Sequence, residues 1–135
     1  MSILKKIRLT DCPRDAMQGI REFIPTGKKV QYLNSLLKVG FDILDFGSFV
    51  SPKAIPQLSD TADVLRQLDL SNTDSKLLAV IGNMKGAEIA CQFDEISYLG
   101  FPFSISDNFL RLNINSSIES AFDMCRQMLE KCDTC

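Results

Sequence analysis

Short apolar runs alternate along the chain with stretches in which apolar residues recur at helical spacing. The apolar runs predict strands at residues 7–10, 41–46, 76–81 and 95–101. Helical spacing predicts helices capped by Thr26 and by Ser59 and a third helix at residues 84–92, while residues 11–15 have the composition of a turn. Four strand–helix pairs in succession predict an α/β fold with a parallel sheet and right-handed crossovers.

The last predicted helix has the clearest pattern. Ser116 and Glu119 have the spacing of a capping box, in which each side chain accepts a hydrogen bond from a free backbone N–H at the start of the helix. A stripe of apolar residues at helical spacing follows and is expected to face the core: Ile118, Ala121, Phe122, Cys125, Met128, Leu129 and Cys132.

Composition limits the possible functions. The chain has 135 residues, 45% hydrophobic and 24% charged, with a net charge of -2, which is typical of one globular domain without a basic surface for nucleic acid or an anionic membrane. No apolar run is long enough for a membrane span. The chain has no histidine, which excludes Ser-His and Cys-His catalytic pairs and mixed Cys/His zinc sites made from this chain alone.

The cysteines and the first residues bear on location. There are five cysteines, an odd number without the spacing of a disulfide framework, and residues 1–7 lack a signal-peptide pattern. These features predict a reducing, cytoplasmic location. Cys132 and Cys135 form a C-x-x-C, but they follow a helix without the context of a redox or zinc site, so a structural role is expected.

Polar residues lie at the end of each predicted strand or just after it: Arg14 and Asp15 after the first, Asp45 in the second, Asn83 after the third, and Ser106 with Asp107 after the fourth. The carboxyl ends of parallel strands share one face, and in barrels that face carries the active site. Taken singly, each residue could instead belong to a solvated turn. The sheet could be an open doubly wound one or part of a (β/α)8 barrel, and the absence of a glycine-rich phosphate loop counts against nucleotide binding.

Three motifs resemble those of the metal-dependent hydroxymethylglutaryl-CoA (HMG-CoA) lyases. Residues 13–18, PRDAMQ, resemble the family's P-R-D-G-L-Q; residues 48–57, SFVSPKAIPQ, resemble its S-F-V-S-P-K-W-V-P-Q; and residues 83–86, NMKG, resemble its N-L-K-G. The resemblance extends over about residues 7–131. It implies the first half of a (β/α)8 barrel, so that residues 1–135 form one partial barrel domain of about four β/α units.

The resemblance also implies a reaction and its residues. The family cleaves HMG-CoA into acetoacetate and acetyl-CoA by a retro-Claisen step that uses Mg²⁺ or Mn²⁺. Asp15 would be a metal ligand, and Arg14 would bind the thioester carbonyl and stabilise the enolate. Asp45 stands where the family has a catalytic glutamate. Gln18 and Asn83 would bind substrate.

The chain departs from the family's pattern in ways that leave alternatives open. Ala54 replaces the loop tryptophan, and the family's His-x-His ligands and cysteine loop belong to the second half of the barrel. We therefore expect the chain alone to be an incomplete, inactive lyase fragment. The alternatives are a non-enzymatic half-barrel scaffold and a related synthase or aldolase, against which the S-F-V-S-P-K loop weighs. The expected partners are an acyl-CoA and, through unpaired sheet edges, another copy of the chain.

Overall fold

The computed structural model describes residues 7–133, and its centre is one parallel sheet. The strands lie side by side in chain order: β1 (Thr10–Asp11), β2 (Ile43–Ser48), β3 (Lys76–Val80) and β4 (Ile96–Gly100). All three strand pairs are parallel. The predicted α/β architecture with four parallel strands is therefore confirmed.

Helices connect the strands, as parallel pairing requires. Their bounds are α1 (Pro13–Gln18), α2 (Thr26–Leu37), α3 (Thr61–Leu65), α4 (Met84–Ala90), α5 (Asp107–Ile114) and α6 (Ile118–Cys132), with a 3₁₀ turn at Pro56–Leu58. Among residues 7–133, no helix has the length and apolarity needed to cross a membrane.

The core lies between the sheet and the helices of one side. Leu44 and Phe46 of β2 are buried in a cluster with Leu33 of α2, Val64 of α3 and Leu77 of β3. Side chains alternate between the two faces of a strand, so the residue between Leu44 and Phe46 lies on the opposite face of the sheet. That residue is Asp45, whose side chain is also buried.

The opposite face and the two outer strands are less covered. Leu78 and Val80 of β3 are only half-buried, and Tyr98 of β4 is exposed. Within residues 7–133, β1 and β4 each pair with one neighbour only. A closed barrel pairs every strand and fills this inner face with side chains, so the sheet has the form of an opened barrel.

The beginning of the chain differs from the sequence expectation. The first strand is shorter and lies later than predicted, at Thr10–Asp11, and the predicted turn contains α1. Pro13 occupies the start of α1, where its missing N–H costs no hydrogen bond and its fixed φ suits a helix. Arg14, Asp15 and Gln18 therefore lie on a helix.

Several helix boundaries also differ. The N-cap of α2 is Pro25, and the hydroxyl of Thr26 donates to Asp60 Oδ2 at 2.7 Å. The N-cap of α3 is Asp60, one residue after the expected Ser59. Helix α5 was not predicted from the sequence. Its ends stabilise it, because Ser106 accepts a hydrogen bond from Phe109 N and Asn115 closes the helix at a positive φ of 49°.

Helix α6 has the predicted extent, but its cap and its buried face differ. Its N-cap is Ser117, whose hydroxyl accepts from Ser120 N, so the expected Ser116–Glu119 capping box is wrong by one position. Ala121 and Met128 of the apolar stripe are buried, whereas Phe122 is 57% and Leu129 68% exposed. Cys132 is exposed, so the expectation that it faces the core is wrong, whereas Cys125 is half-buried. A helix buries only the part of its apolar face that another element covers.

Two of the sequence motifs meet at Gly86. Asn83 is the N-cap of α4 and its Oδ1 accepts from Gly86 N at 2.9 Å. A Cβ on Gly86 would lie 2.5 Å from the backbone oxygen of Phe49, in the loop after β2. The glycine therefore allows the N-M-K-G turn to pack against the S-F-V-S-P-K loop.

This contact predicts that Gly86→Ala lowers the free energy of unfolding by about 1–3 kcal/mol, because a backbone oxygen cannot give way as a flexible side chain can. Gly27→Ala in α2 is the matched control, since nothing lies within 4 Å of its added Cβ. The control is expected to raise stability by about 0.4–1 kcal/mol. Urea unfolding of the two variants measures the difference, and equal midpoints would contradict the packing argument.

Candidate active site

A cavity of about 720 Å³ lies at the carboxyl ends of the strands. Arg14, Asp15 and Gln18 of α1, Asn83 after β3 and Phe101 after β4 all line it. Of the polar residues expected to share one face, Arg14, Asp15 and Asn83 line this cavity, whereas Asp107 lines a different one. This end of a parallel sheet is where barrel enzymes carry their active sites.

Arg14 and Asp45 form a buried ion pair beneath this cavity. Arg14 Nε donates to both carboxylate oxygens of Asp45 at 3.1 Å, and Nη2 donates to Oδ2 at 2.6 Å. The side chains are 15% and 6% exposed. Two parallel N–H···O bonds hold the guanidinium plane in one orientation. Aspartate is one methylene shorter than the glutamate of the resembling family, and it still reaches Arg14.

The remaining terminal nitrogen of Arg14 is at the exposed end of the pair. Nη1 donates to Asp15 Oδ1 at 3.1 Å and to Gln18 Oε1 at 3.0 Å. Gln18 lies four residues after Arg14 on α1, so the two side chains share one face of the helix. Asp15 and Gln18 are both exposed, so a ligand oxygen in the cavity can replace either of them on Nη1.

The environment keeps Arg14 charged. Burial lowers the pKa of the guanidinium, but the hydrogen bond to Asp45 and the negative charges of Asp45 and Asp15 outweigh this effect. The pKa of Arg14 is therefore raised above its already high ordinary value. A fixed positive charge at the mouth of the cavity suits the stabilisation of an oxyanion.

Cys12 reports on the same pair. Burial raises the pKa of its thiol first, and the charge of Asp45 raises it further. Asp45→Asn removes that charge, so we expect the pKa of Cys12 to fall and its thiolate fraction at pH 7.5 to rise, about threefold for each half unit. Iodoacetamide labelling of Cys12, followed by peptide mass spectrometry, measures the change. Asp63→Asn, at an exposed ion pair with Arg66, is the control. An unchanged rate in Asp45→Asn would contradict the predicted coupling.

Asn83 lines the cavity and also has a structural function. Its Oδ1 is used in the cap of α4, as described above. Its amide nitrogen is the group left to face a ligand. The sequence expectation placed Asn83 with the substrate-binding residues, and the structure places it at the cavity with one of its polar atoms already engaged.

The residues present do not by themselves fit a divalent cation. In the stretch from residue 7 to residue 133, no three His, Cys, Asp or Glu side chains are grouped so that they could hold a metal ion. Asp15 is exposed at the cavity, but the Asp45 carboxylate is bonded to Arg14. Mg²⁺ and Mn²⁺ need an octahedral set of oxygen ligands, of which Asp15 would be one.

Buried polar residues beside the site were not identified from the sequence. Lys29 is 2% exposed, and its Nζ donates to Asp60 Oδ1 at 2.6 Å and to the backbone oxygen of Gln57. Lys29 lies four residues before Leu33 and eight before Leu37, which are both buried. The spacing of Lys29 with these leucines places it on the apolar face of the helix, and this spacing could have predicted its burial from the sequence.

A different cavity, of about 540 Å³, lies at the opposite ends of the strands. It is lined by Phe41, Asp42 and Lys76, among others. Asp42 there accepts a hydrogen bond from Leu9 N at 2.9 Å. The Arg14–Asp45 pair is absent from its lining, so we place the candidate site at the carboxyl ends.

Curated proteins with a similar sequence are lyases. The rat mitochondrial HMG-CoA lyase is 33% identical over 121 residues, which cover 87% of this chain and 36% of the enzyme. A Pseudomonas aeruginosa 3-hydroxy-3-isohexenylglutaryl-CoA/HMG-CoA lyase is 30% identical over 131 residues, covering 96% and 43%. This chain is homologous to part of an HMG-CoA lyase. The resemblance found in the motifs is thereby confirmed.

Solved structures agree with the sequence comparison. The Brucella melitensis HMG-CoA lyase aligns with a TM-score of 0.87 and 26% identity, covering 95% of this chain and 45% of that one. An A. baumannii HMG-CoA lyase, solved with coenzyme A and 3-methylmalate, aligns with a TM-score of 0.86 and 29% identity, covering 97% and 43%. The chain thus spans less than half the length of these lyases, as expected for a half-barrel. No model of a protein family matches it.

The expected cytoplasmic location is contradicted by these comparisons. The rat, mouse and Arabidopsis thaliana relatives are named mitochondrial HMG-CoA lyases, although a zebrafish relative is named cytoplasmic. The barrel segment is shared by lyases of several compartments, so its composition does not identify one. Cys135 and most of the first seven residues, which entered that expectation, lie outside the described residues.

Proposed function

We propose that this chain forms the Arg14-bearing half of an active site that cleaves HMG-CoA to acetoacetate and acetyl-CoA. One observation carries the proposal: Asp45 fixes the guanidinium of Arg14, and Nη1 is left at the cavity with two exposed and replaceable partners. In this proposal the partial barrel domain extends over residues 1–135. The rest of the barrel is supplied by residues outside the chain.

The reaction needs a fixed positive charge where Arg14 stands. When a base removes the proton of the tertiary hydroxyl, the carbon–carbon bond breaks, the hydroxyl carbon becomes the ketone of acetoacetate, and the bonding electrons pass to the acetyl thioester as an enolate. Arg14 Nη1 would donate to the thioester oxygen and stabilise that charge. Asp45 would keep the guanidinium oriented, so that no reorganisation is needed as the charge forms.

The other expected residues have supporting roles in this proposal. Gln18 would donate its amide N–H to the substrate after releasing Nη1, and Asn83 would donate through its amide nitrogen. A Mg²⁺ or Mn²⁺ ion, when bound, would polarise the substrate's oxygens, with Asp15 as one ligand. Since residues 7–133 do not complete such a site, the remaining ligands and the proton-transfer base would come from the second half of the barrel.

We also propose that β1 and β4 pair with strands outside this chain. Each has an unpaired edge within the described part of the structure, and Phe122 and Leu129 leave an exposed apolar face on α6. Exposed edges and apolar faces of this kind favour association. The chain alone would then pair with another copy, whereas a completed barrel would not need to.

A hybrid enzyme tests the function. Residues 7–133 replace the matched segment of the A. baumannii HMG-CoA lyase, whose structure they overlay with a TM-score of 0.86. Release of acetoacetate and acetyl-CoA from HMG-CoA is then measured for the hybrid, the parent enzyme and the chain alone. We expect turnover by the hybrid and none by the chain alone, and self-association of the chain alone on gel filtration.

A further inference from the structure

A second cavity, of about 660 Å³, adjoins the strand-end cavity and is here called the side cavity. It lies between the segment that follows α1 and residues 54–57. Four residues border both cavities: Asp15, Gln18, Ala54 and Ile55. A group bound in the strand-end cavity next to Gln18 and Nη1 of Arg14 therefore lies beside the side cavity, because Gln18 borders both.

Most residues that line the side cavity are apolar, although Arg21 and Gln57 line it too. Ile20, Phe23, Ile55 and Pro56 form the apolar part of the wall, and Ile20 and Phe23 are 45% and 47% exposed. A single exposed apolar side chain is ordinary on a protein surface. Several of them lining a concavity beside an active-site cavity are typical of a ligand site.

The wall is held in place by buried polar groups. Gln57 Oε1 accepts from Ile24 N at 2.8 Å, and its Nε2 donates to the backbone oxygens of Ile20 and Glu22, each at 2.9 Å. The Nζ of Lys29 lies 4.1 Å from the ring centroid of Phe23. The segment that carries Ile20 and Phe23 is thus fixed before any ligand arrives, which reduces the entropy cost of binding there.

At Ala54 the two cavities are separated only by a methyl group, because alanine has no larger side chain. The motif that the loop resembles has tryptophan at this position. An indole on the border would occupy space that both cavities share.

We propose that the side cavity is a subsite for an apolar substituent of the substrate, and that Ala54 opens it. The inference rests on the lyase function proposed above and specifies its substrate class. That class is 3-hydroxyglutaryl-CoA thioesters whose alkyl group on carbon 3 is longer than methyl. The charged phosphates of coenzyme A do not suit the apolar part of the wall formed by Ile20, Phe23, Ile55 and Pro56, whereas an alkyl group does.

The test compares HMG-CoA with its 3-butyl homologue in the hybrid enzyme. Each buried methylene changes affinity about fourfold, so we expect Ala54→Trp to lower the butyl-to-methyl ratio of kcat/KM about tenfold or more. Lys53→Trp is the matched control, because this exposed neighbour borders neither cavity. An unchanged ratio in Ala54→Trp, or an equal fall in Lys53→Trp, would overturn the proposal.

A binding measurement on the chain itself does not depend on turnover. With isoleucine methyl groups labelled for NMR, the 3-butyl thioester is expected to shift Ile20 and Ile55 more than HMG-CoA does. Ile43, which lines the cavity at the opposite strand ends, serves as the reference. Absence of a shift at Ile20, or an equal shift at Ile43, would overturn the subsite. If a folded hybrid does not cleave HMG-CoA, the lyase function fails, and these shifts still decide the side cavity.

Discussion

Replacing Arg14 with glutamine is expected to lower kcat for HMG-CoA cleavage in the hybrid enzyme about 10²–10³-fold, with a smaller effect on KM. The reason is that Nη1 would stabilise charge that develops only as the carbon–carbon bond breaks, and removal of one such donor typically costs this much. Glutamine keeps polar atoms at the position but loses the fixed charge and the paired bonds to Asp45. Steady-state kinetics with HMG-CoA measures the effect.

Arg66→Gln is the matched control for this variant. Arg66 forms an exposed ion pair with Asp63 on α3 and lines neither the strand-end cavity nor the side cavity. Its replacement is expected to leave kcat within about twofold, because exposed ion pairs contribute little. If Arg14→Gln retained parental turnover in a folded hybrid, the assigned role of Arg14 would be lost.

The largest expected effect on stability is at Lys29. Lys29→Met is expected to lower the free energy of unfolding by about 3–5 kcal/mol, because the Asp60 carboxylate, 11% exposed, would lose its cationic partner. The hydroxyl of Thr26, 2.7 Å from Asp60 Oδ2, would be the side-chain donor left to it. Urea unfolding of the chain, followed by circular dichroism, measures the loss.

Two further variants separate the buried charge from packing. Lys29→Met combined with Asp60→Asn removes both charges and is expected to recover part of the lost stability, because no unpaired buried carboxylate remains. Lys38→Met, at an exposed position just after α2, is expected to change stability by less than about 0.5 kcal/mol. Equal losses for Lys29→Met and Lys38→Met would show that the buried ion pair contributes nothing.

The sheet was predictable because its signal is local. The apolar runs of β2, β3 and β4 are short and bounded by polar or glycine residues, and their alternation with helical spacing is sufficient to predict parallel pairing. Helices α1 and α5 were not predictable in the same way. Each is at most eight residues long, so its ends and its tertiary contacts determine it.

The candidate site was predictable in position but not in detail. The order of polar residues after successive strands indicated one shared face, and the motifs indicated Arg14 and Asp15. The double contact between Arg14 and Asp45 depends on the distance between α1 and β2, which no local pattern reports. The same is true of Gln57, whose three bonds to residues 20–24 exist only once the loops have packed.

The exposed half of the α6 stripe shows a further limit of the sequence pattern. The spacing of Phe122 and Leu129 correctly indicated the apolar face of a helix, but whether a face is buried depends on what packs against it. Within residues 7–133 these two side chains stay largely exposed. Their exposure, together with the unpaired edges of β1 and β4, agrees with a chain that spans less than half of the lyases to which it is homologous.

Cleavage of HMG-CoA by the hybrid enzyme tests the central claim most directly. If residues 7–133 supply a working half of the site, a hybrid with parental secondary structure and size will release acetoacetate and acetyl-CoA in equal amounts. That turnover will be lost with Arg14→Gln and kept with Arg66→Gln. A folded hybrid that releases no acetoacetate would contradict the claim and would favour a half-barrel with a non-enzymatic function.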